Sequence, residues 1–184
     1  MDNDLIETPL ESTLAYNGDF LKVQHDLIRL PDGKKATREY IKHPGAVVIL
    51  PVFEDGQILL ERQFRYPLRQ VFIEFPAGKI DPGEGLLECA QRELREETGY
   101  TAAGWKYICT IHNAIGYSDE HLELYMARQL TPGIRELDEG EFLDTFKTTL
   151  PEAMSWVMQG KITDVKTIIG LFWLDKLDQQ QWAI

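Results

Sequence analysis

The stretch GKIDPGEGLLECAQRELREETGY, residues 78–100, decides how this chain folds. Its second half carries Leu87, Ala90 and Leu94 at the spacing that places side chains on one face of a helix. Gly99 follows directly, and glycine is the residue that most often ends a helix in a left-handed cap. We therefore predict a helix over residues 86–98 that packs its apolar face on a core.

The same helix carries a patch of three glutamates. Glu93, Glu96 and Glu97 stand at i, i+3 and i+4, so their like charges repel one another. Arg92 alone does not neutralise three carboxylates, whereas a hard divalent cation does, and Mg²⁺ prefers carboxylate oxygens. The alternative for an isolated acidic run is a solvated helix face. The chemistry of the patch favours a carboxylate metal site for Mg²⁺, with Mn²⁺ as an alternative. For an isolated acidic run the solvated face is preferred, so the surrounding residues have to decide.

The residues around the patch form a longer pattern. Five residues separate Gly78 from Glu84, and seven more lead to the run Arg92-Glu93-Leu94-Arg95-Glu96-Glu97-Thr98-Gly99. This pattern resembles the box of the Nudix hydrolases at every fixed position, with Tyr100 where an aliphatic residue is usual. A match over so many spaced positions is far more specific than a single glycine motif.

The resemblance extends over residues 16–177. Over this range the sequence is similar to the ADP-ribose pyrophosphatase branch of the family. It includes the stretches LPDG at 30–33 with Arg38-Glu39, HPGAV at 43–47, RQFRYP at 62–67, EFPAG at 74–78, GYSDE at 116–120 and DEGEF at 138–142. It implies an α+β fold, an α/β/α sandwich with a mixed sheet, preceded by an N-terminal β-hairpin segment. Residues 1–42 would form that arm and hairpin and build a homodimer, and residues 43–184 would form the hydrolase domain.

The resemblance also implies a metal shell and the residues that support it. The implied metal ligands are Glu93, Glu97, Glu96 and the carbonyl of Ala77, and the implied supports are Gly78, Glu84 and Arg92. In this branch the base that activates water lies on a loop outside the box, which matches Glu139 and Glu141. One of the two would activate water and the other would complete the metal site, and the sequence leaves open which does which. The alternative for this pair is an exposed acidic turn.

Candidate substrate contacts follow from the same stretches. They are Arg65, Arg38, Arg62, Glu74, Asp119 and Glu120. Arg65 is the first candidate for a phosphate, because a guanidinium fork suits bidentate contact. The alternative for each arginine is a surface salt bridge.

The reaction implied is hydrolysis of ADP-ribose to AMP and ribose 5-phosphate. Ile115 replaces a proline that is usual in this branch, which leaves GDP-mannose or ADP-glucose open as substrates. A non-catalytic domain that senses a ligand is the alternative from another functional class. It is disfavoured because all the box glutamates are present.

Composition narrows the remaining possibilities. The 184 residues carry a formal net charge of −11, which argues against non-specific nucleic-acid binding. Cys89 and Cys109 lie among residues expected to face the core, which favours free thiols. The acidic start, residues 1–14, lacks the features of a signal peptide, and no apolar run is long enough to span a membrane. We expect a cytoplasmic protein.

Turn signals place the other elements. Residues 1–15 are expected to be a loose arm, and residues 20–42 a hairpin around Pro31-Asp32-Gly33. A second hairpin is predicted from residues 46–53 and 57–63 around Glu54-Asp55-Gly56. Further strands are predicted at 71–75, 105–112, 121–128 and 142–147, and further helices at 150–159 and 165–177.

Overall fold

The computed structural model describes residues 4–178. These residues form two compact units: the chain up to Gly45 together with His112–His121, and Ala46–Ile111 together with the chain from Leu122 onward. Within residues 4–178, none of the helices has the length and apolar character needed to cross a bilayer.

The first unit is built on a three-stranded antiparallel sheet in the order β1-β2-β3. The strands are β1 Thr8–Asn17, β2 Lys22–Arg29 and β3 Lys35–Lys42. The predicted hairpin is present as β2 and β3, with Gly33 at a φ of 86° in the turn. The segment His112–His121 adds to this unit, because the Ile41 amide donates to the Tyr117 carbonyl at 2.8 Å.

Strand β1 corrects the expectation of a loose arm over residues 1–15 from Thr8 onward, while residues 1–3 lie outside the described residues. Residues 8–17 pair antiparallel with β2, from Thr8 opposite Arg29 to Asn17 opposite Lys22. All ten residues of β1 are exposed, so the strand buries no apolar face. Backbone hydrogen bonds to β2 hold this strand in place. Because these bonds do not depend on the side chains, the sequence lacks the alternation of apolar residues that predicts a strand.

Among the described residues, the second unit contains two sheets, three α-helices and the short 3-10 helix Tyr66–Leu68. A mixed sheet has the order β7-β4-β9-β8, and a second sheet has the order β10-β5-β6. The strands are β4 Ala46–Pro51, β5 Gln57–Arg65, β6 Gln70–Glu74, β7 Ala77–Lys79, β8 Tyr100–Ile111, β9 Leu122–Pro132 and β10 Leu143–Thr149. The helices are α1 Leu86–Thr98, α2 Leu150–Met158 and α3 Val165–Asp178. Strands β4 and β9 run parallel, whereas β4–β7 and β8–β9 are antiparallel, which confirms the α+β class with a mixed sheet.

The predicted second hairpin is wrong in its pairing. Its turn exists, since the Gly56 amide donates to the Phe53 carbonyl at 3.0 Å. The flanking strands meet only at the bridge between Val52 and Ile58, and they then join different sheets. All six residues of β4 are buried, so it is a central strand whose backbone groups pair with β7 and β9.

Strand β4 divides the core. Val48 and Leu50 pack with the second sheet and α3, whereas Val47 and Ile49 pack against Ala90 and other residues of α1. Successive side chains of a strand point to opposite faces, so one buried strand serves two apolar layers. Helix α1 has the predicted bounds and ends at Gly99, whose φ is 75°. Its position on the mixed sheet sets where the acidic residues of the box lie.

Smaller differences complete the comparison with the predicted elements. Strand β8 begins at Tyr100, five residues before the predicted start at residue 105, and the short strand β7 was not predicted. Cys89 is buried, Cys109 is partly buried, and both are free thiols.

Candidate active site

Helix α1 directs two glutamates onto the short strand β7. The Ala77 amide donates to a carboxylate oxygen of Glu97 at 3.0 Å. The carboxyl group of Glu93 lies directly over Gly78, where an added Cβ atom would be 1.8 Å from the Glu93 Cδ. Glycine at position 78 therefore leaves the space that the Glu93 carboxylate occupies.

Arg92 links the box glutamates to one another. Its Nε and Nη2 donate to Glu84 at 2.8 and 2.9 Å. Its Nη1 donates to Glu93 at 2.8 Å and to Glu96 at 3.0 Å. The hydrogen bonds from Arg92 lower the pKa of Glu84 to about 2. A single guanidinium therefore fixes the orientation of three carboxylates at the edge of the site.

Burial disfavours the ionised form of the two glutamates that face β7. Glu97 is only 3% exposed, and burial followed by the negative charges of Glu61, Glu93 and Glu141 raises its pKa well above the ordinary value. Burial also raises the pKa of Glu93 to about 7, although Arg92 opposes the shift. Carboxylates held this way gain strongly from a cation that replaces the lost water.

Glu61 on β5 is a member of this acidic group that the sequence analysis did not identify. Its side chain is fully buried, and neither carboxylate oxygen has a hydrogen-bond partner among the described residues. Burial, followed by the charge of Glu74, raises its pKa to about 8. The available signal was a charged residue at the end of the apolar run Ile58-Leu59-Leu60, inside a predicted strand.

A second buried acid, Glu74 on β6, has its charge balanced. Arg65 donates to both oxygens of Glu74 at 2.8 Å, and Lys166 at the start of α3 also donates to it. Burial acts to raise the pKa of Glu74, but the hydrogen bonds from Arg65 and the charge of Lys166 outweigh it and lower that pKa. The sequence analysis missed Lys166, because only the fold places α3 beside β6.

Glu141 joins the acids from the loop before β10. The Gln63 side-chain amide donates to it at 3.2 Å, and its charge acts on Glu93 and Glu97. Gly140, with a φ of 86°, turns the chain between Glu139 and Glu141. Glu139 is exposed, so the structure directs one of the two predicted loop glutamates toward the acidic group.

The other predicted contacts lie elsewhere. Arg62 is on the opposite face of β5 from Glu61 and pairs with Asp144 at the surface. In the first unit, Arg38 and Asp119 line a cavity of about 590 Å³. Arg38 pairs with Glu7, Asp119 pairs with Lys42 at 2.8 Å, and Glu120 lies 3.5 Å from His43 Nδ1.

The acidic group suits a hard divalent cation by its chemistry. Among residues 4–178, no three His, Cys, Asp or Glu side chains are already arranged around one point as metal ligands. Even so, the fully buried Glu61 carboxylate has no hydrogen-bond partner in that part of the chain, and Gly78 leaves room for the Glu93 carboxylate beside β7. Oxygen donors with uncompensated negative charge are what Mg²⁺ and Mn²⁺ bind.

Comparison with known families agrees with this chemistry. Residues 42–166 match the NUDIX domain, and residues 7–41 match the nucleoside diphosphate sugar hydrolase N-terminal domain. The first match alone covers more than half of the 184 residues.

Individual proteins are similar over almost the whole chain. An ADP-ribose pyrophosphatase of Bacillus subtilis is 38% identical over 170 residues, covering 89% of this chain and 92% of that protein. A methanol dehydrogenase activator of Bacillus methanolicus is 35% identical, covering 91% and 92%. A crystal structure of an ADP compounds hydrolase superposes with a TM-score of 0.86 at 24% identity, covering 97% of each chain, which shows a shared fold.

Proposed function

Since the chain belongs to the Nudix hydrolase family, we propose that it hydrolyses the pyrophosphate bond of a nucleoside diphosphate sugar, with ADP-ribose as the preferred substrate and AMP and ribose 5-phosphate as products. The observation that carries the proposal is the pair Glu93 and Glu97 beside β7, the first partly buried and the second buried, both with raised pKa values. The pyrophosphatase name of the Bacillus subtilis relative supports the choice of ADP-ribose.

A divalent cation, Mg²⁺ or Mn²⁺, is part of this proposal. We assign Glu93, Glu97, Glu96, Glu141 and the carbonyl of Ala77 as its ligands. When bound, such an ion lowers the pKa of a water molecule and offsets the charge of phosphate oxygens. Arg92, which bonds Glu84, Glu93 and Glu96, holds the ligands in place.

Arg65 is proposed to position the substrate phosphates. Its Nε and Nη2 are engaged by Glu74, which fixes the plane of the guanidinium and leaves the donors of Nη1 outside that pair. Glu74 is 2% exposed, so we assign it the role of orienting Arg65. In the first unit, Arg38, Asp119 and Glu120 are proposed as substrate contacts, and Arg38 and Asp119 line the cavity found there.

The two loop glutamates, Glu139 and Glu141, are assigned different roles. Glu141 faces the acidic group, which supports its assignment to the metal, and the exposed Glu139 is then the candidate base that takes a proton from the attacking water. The two residues lie on either side of Gly140 in one turn, which the Glu141 amide closes by donating to the Asp138 carbonyl at 3.0 Å.

A homodimer through the first unit is also proposed. Strand β1 is the edge of its sheet, and Leu10 and Leu14 on it are 40% and 49% exposed. An exposed edge strand with apolar side chains is a surface for pairing with another chain. Sedimentation of the wild type and of a Leu10→Lys, Leu14→Lys variant tests this, and a monomeric wild type would contradict it.

The reaction itself is tested by a substrate screen. Purified protein with Mg²⁺ is given ADP-ribose, GDP-mannose, ADP-glucose, diadenosine polyphosphates, NADH and nucleoside triphosphates, and product release is followed by chromatography. We expect the highest kcat/KM for ADP-ribose. A preference for another sugar nucleotide would retain the hydrolase and overturn its substrate, whereas binding without turnover of any compound would favour a ligand sensor.

A further inference from the structure

Glu61 is a buried acid that the protein itself does not satisfy. It lies in β5 directly opposite Glu74 of β6, and it is fully inaccessible to solvent. Neither of its oxygens has a hydrogen-bond partner among the described residues. Burying a carboxylate without a partner is strongly unfavourable, so its presence in an apolar strand calls for a compensating group.

The nearby cations do not provide that compensation. Arg65 and Lys166 are close enough for their charges to act on Glu61, but Arg65 donates its hydrogen bonds to Glu74, and Lys166 donates to Glu74 and Asp164. Neither oxygen of Glu61 receives a hydrogen bond from a described residue.

A second buried acid, Glu97 on the helix, lies close enough to Glu61 for their charges to interact. After burial, the charge of Glu61 acts with those of Glu93 and Glu141 to raise the pKa of Glu97. Glu97 has one oxygen engaged by the Ala77 amide. Two buried carboxylates that repel each other across the gap between a strand and a helix form a pair that a divalent cation stabilises.

We propose that Glu61 is a further carboxylate ligand of the divalent cation, supplied by β5 opposite the box residue Glu97. This inference rests on the proposed function, because it concerns the same ion. It extends the set of ligands beyond α1, β7 and the loop of Glu141, and it accounts for a glutamate at a position of β5 where the preceding residues Ile58, Leu59 and Leu60 are all buried and apolar.

The experiment compares metal binding by the wild type, Glu61→Gln and Glu123→Gln. Glu123 is the matched control: it is a buried strand glutamate, 7% exposed, that accepts a hydrogen bond from Thr110 at 2.8 Å. Binding of Mn²⁺ is measured by loss of the free-ion EPR signal and by calorimetry, with and without AMP. Thermal unfolding is recorded with EDTA and with Mn²⁺, and ADP-ribose hydrolysis is measured separately.

We expect Glu61→Gln to weaken Mn²⁺ binding by roughly tenfold or more, while Glu123→Gln binds as the wild type does. The rise in Tm that Mn²⁺ produces should shrink in Glu61→Gln, and the variant in EDTA should unfold no earlier than the wild type because a buried repulsion is gone. Should Glu61→Gln fail to fold by circular dichroism, Glu61→Met of similar volume takes its place.

The outcomes separate this inference from the proposed function. If the wild type hydrolyses ADP-ribose and binds Mn²⁺ but Glu61→Gln has the same affinity, stoichiometry and Tm increment, Glu61 is an acid bridged by water only and the inference is overturned. If the wild type hydrolyses no nucleotide sugar but Glu61→Gln still loses Mn²⁺ affinity, the ligand assignment holds and the proposed reaction fails. A wild type that binds no divalent cation overturns both.

Discussion

Gly78 is the residue on which the position of Glu93 depends. An added Cβ would lie 1.8 Å from the Glu93 carboxyl carbon, which is far inside van der Waals contact. Gly78→Ala should therefore displace this carboxylate and lower kcat for ADP-ribose by about a hundredfold, as misplacement of a reacting geometry does.

Steady-state kinetics of Gly78→Ala beside Gly104→Ala tests this. The control adds a methyl group in β8, where the nearest atoms are 3.6 Å away. Wild-type turnover by Gly78→Ala would show that Glu93 does not need its position over β7.

Glu97 carries the most direct prediction for chemistry. It is 3% exposed and accepts the Ala77 amide, so Glu97→Gln keeps the shape of the site and removes a charge. We expect kcat to fall by about a thousandfold, equivalent to about 4 kcal/mol of transition-state stabilisation. The measurement is AMP release at saturating ADP-ribose and Mg²⁺, with Glu123→Gln as the control. Retained turnover would remove Glu97 from the metal site and the proposed mechanism with it.

Helix α3 packs very closely on the core at Gly170. A Cβ at Gly170 would lie 2.6 Å from a methyl carbon of Leu50 and 2.9 Å from the ring of Phe75. Replacing glycine by alanine inside a helix normally stabilises it by about 1 kcal/mol, whereas overpacking a core destabilises by about 1–3 kcal/mol. We expect overpacking to prevail in Gly170→Ala, with a net loss of about 1 kcal/mol in the free energy of unfolding. Urea unfolding of the EDTA-treated protein measures it, and a gain in stability would mean that α3 shifts freely on the core.

Whole-molecule stability should depend on pH through the buried acids. Folding raises the pKa of Glu61 to about 8 and that of Glu93 to about 7, from an ordinary value of 4.5. Between pH 4.5 and about pH 8, the folded state holds protons on these acids that the unfolded state has released. The free energy of unfolding therefore falls as the pH rises through this range. The lowered pKa of Glu84, about 2, acts only in more acidic solution.

The measurement is urea unfolding from pH 4.5 to 8.5 in EDTA and again in saturating Mg²⁺. We expect a decline with rising pH in EDTA and a smaller one, or a reversal, with Mg²⁺, because the ion binds the ionised carboxylates. A flat profile in EDTA would show that these acids are not held in the environment described.

Local signals in the sequence determined a large part of this molecule. The helical spacing of Leu87, Ala90 and Leu94 and the cap at Gly99 gave the bounds of α1, which the structure confirms. The spacing of Glu93, Glu96 and Glu97 predicted an acidic patch from helix geometry alone. The helix bounds and the acidic patch both depend on interactions between residues a few positions apart, so they can be predicted from the local sequence.

Only the tertiary structure decided the rest. Glu61, Glu97 and Lys166 come from a strand and two helices that no local pattern connects. Strand β1 forms on its ladder with β2, and β4 and β5 separate into two sheets because β4 is buried on both faces. Long-range pairing and burial determine which strands share hydrogen bonds and which charges lose water, and neither is encoded in the spacing of neighbouring residues.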